Sequence, residues 1–169
     1  FLTTPGLQGQ TVGIVGLGHI GARIAEMLQP FAPANIFYAS THRHQDSEAT
    51  LNLKYVELDV LLGQSDVVFL CVPDEAGPNF LNAGHFTKMK QDALLVSFMH
   101  PGIIDPNALY DILDKGKIRA VSDYPFDERF NKFPKSTFYC FKASNAFNTR
   151  ASLKHVSDVA TQALINLLS

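Results

Sequence analysis

The sequence predicts an α/β fold, a doubly wound parallel sheet in three layers (α/β/α), on three observations. Short apolar runs that suit strands alternate with stretches in which apolar residues recur at helical spacing. The strongest run, Val67-Val68-Phe69-Leu70-Cys71-Val72, is apolar without interruption, the pattern of a parallel strand covered on both faces. Between the first run and the first helical stretch lies a glycine-rich turn, Gly16-Leu17-Gly18-His19-Ile20-Gly21. Strands joined through helices make βαβ units, and such units assemble into a wound parallel sheet.

Taken in order, Thr11-Val12-Gly13-Ile14-Val15 is the first strand, and Ile20, Ile24, Ala25 and Leu28 then mark a helix as far as Pro30. Asn35-Ile36-Phe37-Tyr38-Ala39 is the second strand. Residues 40–50 are polar, carry neither period, and read as a loop or a poorly formed helix. Lys54-Tyr55-Val56 is extended and leads into a helical turn at Leu58, Leu61 and Leu62, which Gly63 is expected to stop before the strand at 66–72. Ala93-Leu94-Leu95-Val96-Ser97 is a further strand. The helix over 105–113 has Asp105 placed as N-cap and Pro106 as its first residue, and Lys115-Gly116 closes it. Two more short strands fall at 118–122 and 137–141, with residues 125–134 between them read as one surface loop. A final amphipathic helix carries Leu153, Val156, Ala160, Ala163, Leu164 and Leu167 on one stripe.

A chain of 169 residues suits one compact domain, and 46% hydrophobic against 18% charged residues supplies a core that a disordered chain lacks. Lys and Arg number 14 against 16 Asp and Glu, a net charge of −2 with no basic stripe, which argues against a nucleic-acid binder working by phosphate neutralisation. No apolar run approaches the roughly 20 residues that span a bilayer, so no membrane partner is expected. Cys71 and Cys140 sit in apolar runs without the paired spacing of a zinc site or disulfide framework. They read as buried, reduced thiols of a cytoplasmic protein with no metal site.

The glycine turn carries the chemistry. In this pattern, directly after a strand and opening a helix, Gly16 permits a tight turn, Gly18 lets backbone approach a pyrophosphate, and Gly21 lets helix and strand pack closely. The helix then offers free amides, at His19 and Ile20, and a partial positive charge to the phosphates. A dinucleotide is the expected cofactor. At the end of the second strand, where a carboxylate would hold the ribose of NAD, the chain has Ser40-Thr41-His42-Arg43-His44, with no carboxylate before Asp46. Hydroxyls followed by Arg43 suit the 2′-phosphate of NADP; a solvated polar loop is the alternative, and NADP and NAD both stay open.

Several further segments, taken with this turn, resemble the NAD(P)-binding, or coenzyme, domain of the D-isomer-specific 2-hydroxyacid dehydrogenases. They are Gly9 to Gly21, Leu58-Asp59-Val60-Leu61-Leu62-Gly63-Gln64-Ser65-Asp66-Val67-Val68, Val72-Pro73, Met89-Lys90 and Ile104-Asp105-Pro106-Asn107-Ala108-Leu109, in order over nearly the whole chain. The resemblance implies a Rossmann-type domain of a homodimeric oxidoreductase that passes hydride between a nicotinamide coenzyme and a small 2-oxo or 2-hydroxy acid. It implies that Val72, Pro73, Phe98 and Met99 border the coenzyme, with Asp123 near the nicotinamide amide. In this family an Arg grips the substrate carboxylate, and a His supported by a Glu handles the proton. Matched position by position, the Arg becomes His100 in Ser97-Phe98-Met99-His100-Pro101-Gly102, the Glu is kept as Glu128, and the His becomes Ser144. A histidine lacks the guanidinium fork, and a serine does not exchange protons near neutrality unaided. Lys142 or His155 would have to approach the vacant place. The family's second, substrate domain has no counterpart here, so residues 1–169 are read as one dinucleotide-binding domain from a longer chain. The rival reading is a catalytically degenerate module in which bound dinucleotide serves regulation.

Overall fold

In the computed structural model, which describes residues 6–141, seven strands pair in parallel: β1 (Thr11–Val15), β2 (Asn35–Ala39), β3 (Leu53–Tyr55), β4 (Val67–Leu70), β5 (Ala93–Ser97), β6 (Ile118–Ser122) and β7 (Phe138–Cys140). Their order is β3-β2-β1-β4-β5-β6-β7. The chain winds outward from β1 to β3, then crosses back to place β4 against the other edge of β1. The order therefore reverses between β1 and β4, and the crevice outside their carboxyl ends is where open α/β sheets hold ligands.

Alternation along the strands sends side chains to two cores. Val12, Ile14, Ile36 and Tyr38 join Ala25 and Leu28 of α1 (His19–Leu28) on one face. Val15, Phe37, Val68, Leu70 and Leu95 join α3 (Leu58–Gln64), α4 (Ala83–Lys88) and α5 (Pro106–Asp114) on the other. Helices thus cover both faces, giving the doubly wound, three-layered fold expected of the sequence.

Several elements differ from expectation. Residues 45–51 form α2 (Gln45–Leu51), the helical one of the two expected readings, and its apolar grip among the described residues is Leu51 against the α1 core, which explains its missing period. Gly63 lies in the last turn of α3, which ends one residue later than expected, at Gln64. Leu61 and Leu62, both 0% exposed, hold the turn in place against the roughly 1 kcal/mol cost of a helical glycine. Helix α4 has only six residues, too few to display a period, and stands on a capping box in which Asn82 accepts from the Gly84 amide and His85 faces the Asn82 amide. Residues 125–134 are more than a surface loop: a 3-10 turn at Glu128–Lys132 buries Phe130 among Phe126, Phe133, Phe138 and Tyr110, with ring centroids 4.9 to 6.1 Å away. In β4, Val68 and Leu70 are fully buried, whereas Val67 and Phe69 on the other side are half-buried. Cys71 is buried, but Cys140 is only half-buried; both are free thiols. Asp105 caps α5 as expected, accepting from the amides of Asn107 and Ala108 at 2.9 and 3.2 Å. The stripe at 153–167 lies outside the described residues.

Candidate functional site

The glycine turn occupies the crevice at the carboxyl end of β1. Gly16 has φ +93°, a left-handed conformation, and a Cβ there would meet the Cys71 carbonyl oxygen at 2.6 Å. Its amide donates to the Ala39 carbonyl at 2.8 Å, tying the turn to the end of β2. A Cβ on Gly21 would meet the Gly16 carbonyl oxygen at 2.1 Å, so helix and turn pack as closely as backbone allows. Gly18 is the opposite case: nothing lies within 4 Å of its missing Cβ, and its backbone faces open space. As N-cap of α1 it has no side-chain cap, and the first turn holds no acidic residue, so the amides at His19 and Ile20 have no side-chain partner. Two glycines serve packing and the third serves approach, which fits the pyrophosphate of a dinucleotide.

The cradle opens on a cavity of about 530 Å³ that brings together Gly16, Ser40, Thr41, Val72 and Pro73. Tyr55, Leu58 and Phe80 give it apolar walls suited to an aromatic base. The lining contains two carboxylates, Glu57 and Glu75, and no Lys or Arg among the described residues. A slightly larger hollow of about 570 Å³ lies over Asp66, Val67, Phe69 and Leu94, and no predicted site residue lines it. The cradle end is the one with chemistry.

The polar loop after β2 is held by a residue the sequence did not single out, Glu48 on α2. Arg43 donates from Nε and Nη2 to both carboxylate oxygens of Glu48 on α2, at 2.9 and 2.8 Å. The buried Tyr38 hydroxyl donates to Glu48 Oε1 at 2.6 Å and accepts from the His44 amide at 2.8 Å. The Arg43 guanidinium, followed by the Tyr38 hydroxyl, holds the Glu48 carboxyl down to about 2. Burial, together with the Glu48 bond, raises the Tyr38 phenol above its ordinary range. Arg43 is thus engaged rather than free, and it lies outside the cavity lining. Thr41 Oγ1 and His42 Nδ1 are 3.0 Å apart on the exposed loop. Glu48 follows Arg43 by five residues across a loop-to-helix junction, a spacing that matches no helical pair rule, so only the fold reveals the fork.

A second group gathers at the ends of β5 and β6. The Asp123 amide donates to the Ser97 carbonyl at 2.9 Å and keeps the two ends together, and Asp123 itself is buried. Phe98 and Met99 are half-buried beyond β5. His100 is exposed; its Nδ1 accepts from the Gly102 amide at 3.1 Å, which puts the neutral ring's proton on Nε2. Its ring stands edge-on to Tyr124, centroids 5.9 Å apart. Glu128 begins the 3-10 turn after β6, exposed, with no hydrogen bond or ion pair among the described residues. Its neighbour Asp127 is occupied locally, accepting from the amide and guanidinium of Arg129. Ser144, Lys142 and His155 lie outside the described residues. Among the described residues no group of three metal-ligating side chains occurs, and no helix is long and apolar enough to cross a membrane.

Comparison with known proteins bears directly on these features. The D-isomer specific 2-hydroxyacid dehydrogenase, NAD binding domain, family model matches residues 2–146. Glyoxylate/hydroxypyruvate reductase B of Escherichia coli (strain SMS-3-5 / SECEC) is 36% identical over 121 residues, 70% of this chain and 37% of that protein. Glyoxylate reductase of Thermofilum pendens is 35% identical over 130 residues, 76% of this chain and 38% of that protein. Among solved structures, apo D-lactate dehydrogenase from Escherichia coli superposes with a TM-score of 0.86 at 26% identity, covering 98% of this chain and 53% of that one. D-lactate dehydrogenase with NAD+ from Lactobacillus jensenii gives 0.82 at 21% identity over 98% of this chain and 55% of that one, a likeness of fold. The chain spans well under half the length of the two reductases. A glycine cradle at the switch point and a family match over most of the sequence lead to one conclusion: the chain belongs to the D-isomer-specific 2-hydroxyacid dehydrogenase family, as its NAD-binding domain.

Proposed function

We propose that the full-length protein is an oxidoreductase acting on a small 2-oxo or 2-hydroxy acid with NAD or NADP. The observation that carries this reading is the cradle: Gly18 open, Gly16 and Gly21 closed by backbone, and uncapped amides at His19 and Ile20, in a chain of this family. When bound, the nicotinamide supplies the hydride chemistry. The chain's own part is to hold the pyrophosphate on the α1 amides and the adenosine between Ser40, Thr41, Val72 and Pro73. Phe98, Met99 and Asp123 border the reacting end. His100 keeps its Nε2–H as a donor and would hold the substrate carboxylate by one hydrogen bond where the family's Arg offers a fork. Glu128 and Ser144 occupy the family's proton-handling positions. A homodimer in the cytoplasm is part of the same proposal; kinship supports it, as do the exposed apolar side chains Ile20, Met27 and Phe31 along and beyond α1.

A specific observation favours a second reading, a non-catalytic coenzyme-binding module: His100 stands at the family's Arg position and has one of its two ring nitrogens committed to the Gly102 amide. Turnover of glyoxylate or hydroxypyruvate by the full-length protein with NADH or NADPH separates the two. The first reading expects reduction whose kcat/KM falls at least about tenfold in His100→Ala, with coenzyme affinity kept. Tight coenzyme binding without reduction of any 2-oxo acid establishes the second.

A further inference from the structure

We propose that Glu48, by engaging the Arg43 fork, sets the choice between the two coenzymes at this site. The inference rests on the reading of the cradle as a dinucleotide site. With the pyrophosphate at the α1 amides, the residue ending β2 lies at the adenosine ribose. Here that end is tied to the cradle through the Gly16 amide and the Ala39 carbonyl, and continues into Ser40 and Thr41 on the cavity wall. Ser40 and Thr41 bring hydroxyls and no charge, and the cavity lining contributes carboxylates only. Arg43, two residues beyond Thr41 but outside that lining, is the arginine that a 2′-phosphate at this end of β2 would have to recruit.

That cation is already committed. Glu48 takes the Nε and Nη2 edge in a bidentate fork, the same geometry a phosphate would use. The carboxylate is in turn anchored from beneath by the Tyr38 hydroxyl, so it does not swing away freely. The Glu48 side chain is 16% exposed while Arg43 is 58% exposed, so the carboxylate is packed against the fold and the guanidinium faces solvent. A 2′-phosphate must either displace the guanidinium from Glu48 or share it beside a fixed negative charge. A 2′-hydroxyl meets neither obstacle. The pair thus admits NAD and holds back NADP, although the loop carries an arginine.

The test is a double-mutant cycle read by calorimetric titration of NADH and NADPH into the protein, with Glu48→Gln, Arg43→Ala and the double variant. Glu48→Gln is expected to tighten NADPH about fivefold, the equilibrium equivalent of releasing one surface ion pair, and to change NADH less than about twofold. In the Arg43→Ala background the same change should gain nothing. Tyr38→Phe, which loosens the anchor but keeps the fork, separates simple loosening of α2 from release of the arginine; it should tighten NADPH by less than Glu48→Gln. If Glu48→Gln does not fold, Glu48→Asp, too short to hold both guanidinium nitrogens from the same backbone, should give a smaller gain of the same sign. NADPH affinity unchanged or weakened by Glu48→Gln and Glu48→Asp in the Arg43 protein, with NADH still bound, overturns this inference alone. Failure of both coenzymes to bind the wild-type protein overturns the dinucleotide reading along with it.

Discussion

Adding one methyl group at two glycines of the same turn should produce opposite failures. In Gly21→Ala the new Cβ falls 2.1 Å from the Gly16 carbonyl oxygen and 3.1 Å from Ile14 Cγ2, where ordinary contact begins near 3.4 Å. The first obstacle is backbone, which no rotamer change relieves. Helix α1 must therefore lift from the turn, an overpacking cost of about 2–3 kcal/mol, or roughly 4–12 °C in Tm for a domain of this size. In Gly18→Ala the methyl meets nothing within 4 Å, and φ is −82°, a value alanine adopts without strain. Stability should fall by about 0.5–1 kcal/mol, the difference between glycine and alanine at an N-cap and well short of the cost at Gly21. Yet that methyl fills the space through which a pyrophosphate reaches the His19 and Ile20 amides, so NADH affinity should fall at least about tenfold. Thermal unfolding and calorimetric NADH titration of both variants read the two effects separately. NADH binding by Gly18→Ala at wild-type affinity, or a Gly21→Ala protein as stable as the parent, would refute the division of labour assigned to these glycines.

Other expectations follow from the packing. Asp105→Ala removes the acceptor for two amides at the start of α5 and should cost about 0.5–2 kcal/mol by urea unfolding. Phe130→Ala empties the centre of the aromatic cluster around the 3-10 turn, with an expected loss of about 3–5 kcal/mol by the same measurement. Burial pushes the Cys71 thiol up to about 12, so it should resist a thiol reagent at pH 8 until the protein unfolds. Burial alone would raise the Asp66 carboxyl, but the Lys90 ammonium and the Thr11 amide outweigh it and hold the group below its ordinary 3.8. A depressed folded value stabilises above the unfolded one. The advantage of wild type over Asp66→Asn should therefore be full above about pH 5, shrink as the pH falls through 3.8 and toward the lower folded value, and show no such dependence at neutral pH.

Those parts of the molecule whose signals are local in sequence were legible in it. Asp105-Pro106 announces a helix start because the cap and the first residue are adjacent, and Gly16, Gly18 and Gly21 state the turn's mechanism within six residues. Segments whose structure comes from distant partners were not. Helix α2 depends on Leu51 reaching the α1 core, and the turn at Glu128–Lys132 depends on Tyr110 and Phe138 closing around Phe130. Gly63, by contrast, marks the end of α3 to within one residue, since the helix closes at Gln64 with Ser65 as its C-cap. At the site, the missing carboxylate after β2 was readable, but its consequence was not. Arg43 looked available on sequence grounds, and only the approach of α2 brings Glu48 and Tyr38 to it. The match of His100 to the family's Arg position came from resemblance; its Nδ1 bond to Gly102 came from the fold.

The central claim is that a nicotinamide dinucleotide seats its pyrophosphate on the amides opening α1. Titrating NADH into the isotopically labelled protein and following backbone amide resonances tests it most directly. Saturable shifts at Gly18, His19 and Ile20, with Ser40 and Thr41 following the same isotherm, are the predicted result. Saturable shifts confined to the hollow around Asp66, Phe69 and Leu94, with the α1 amides unmoved, would contradict it.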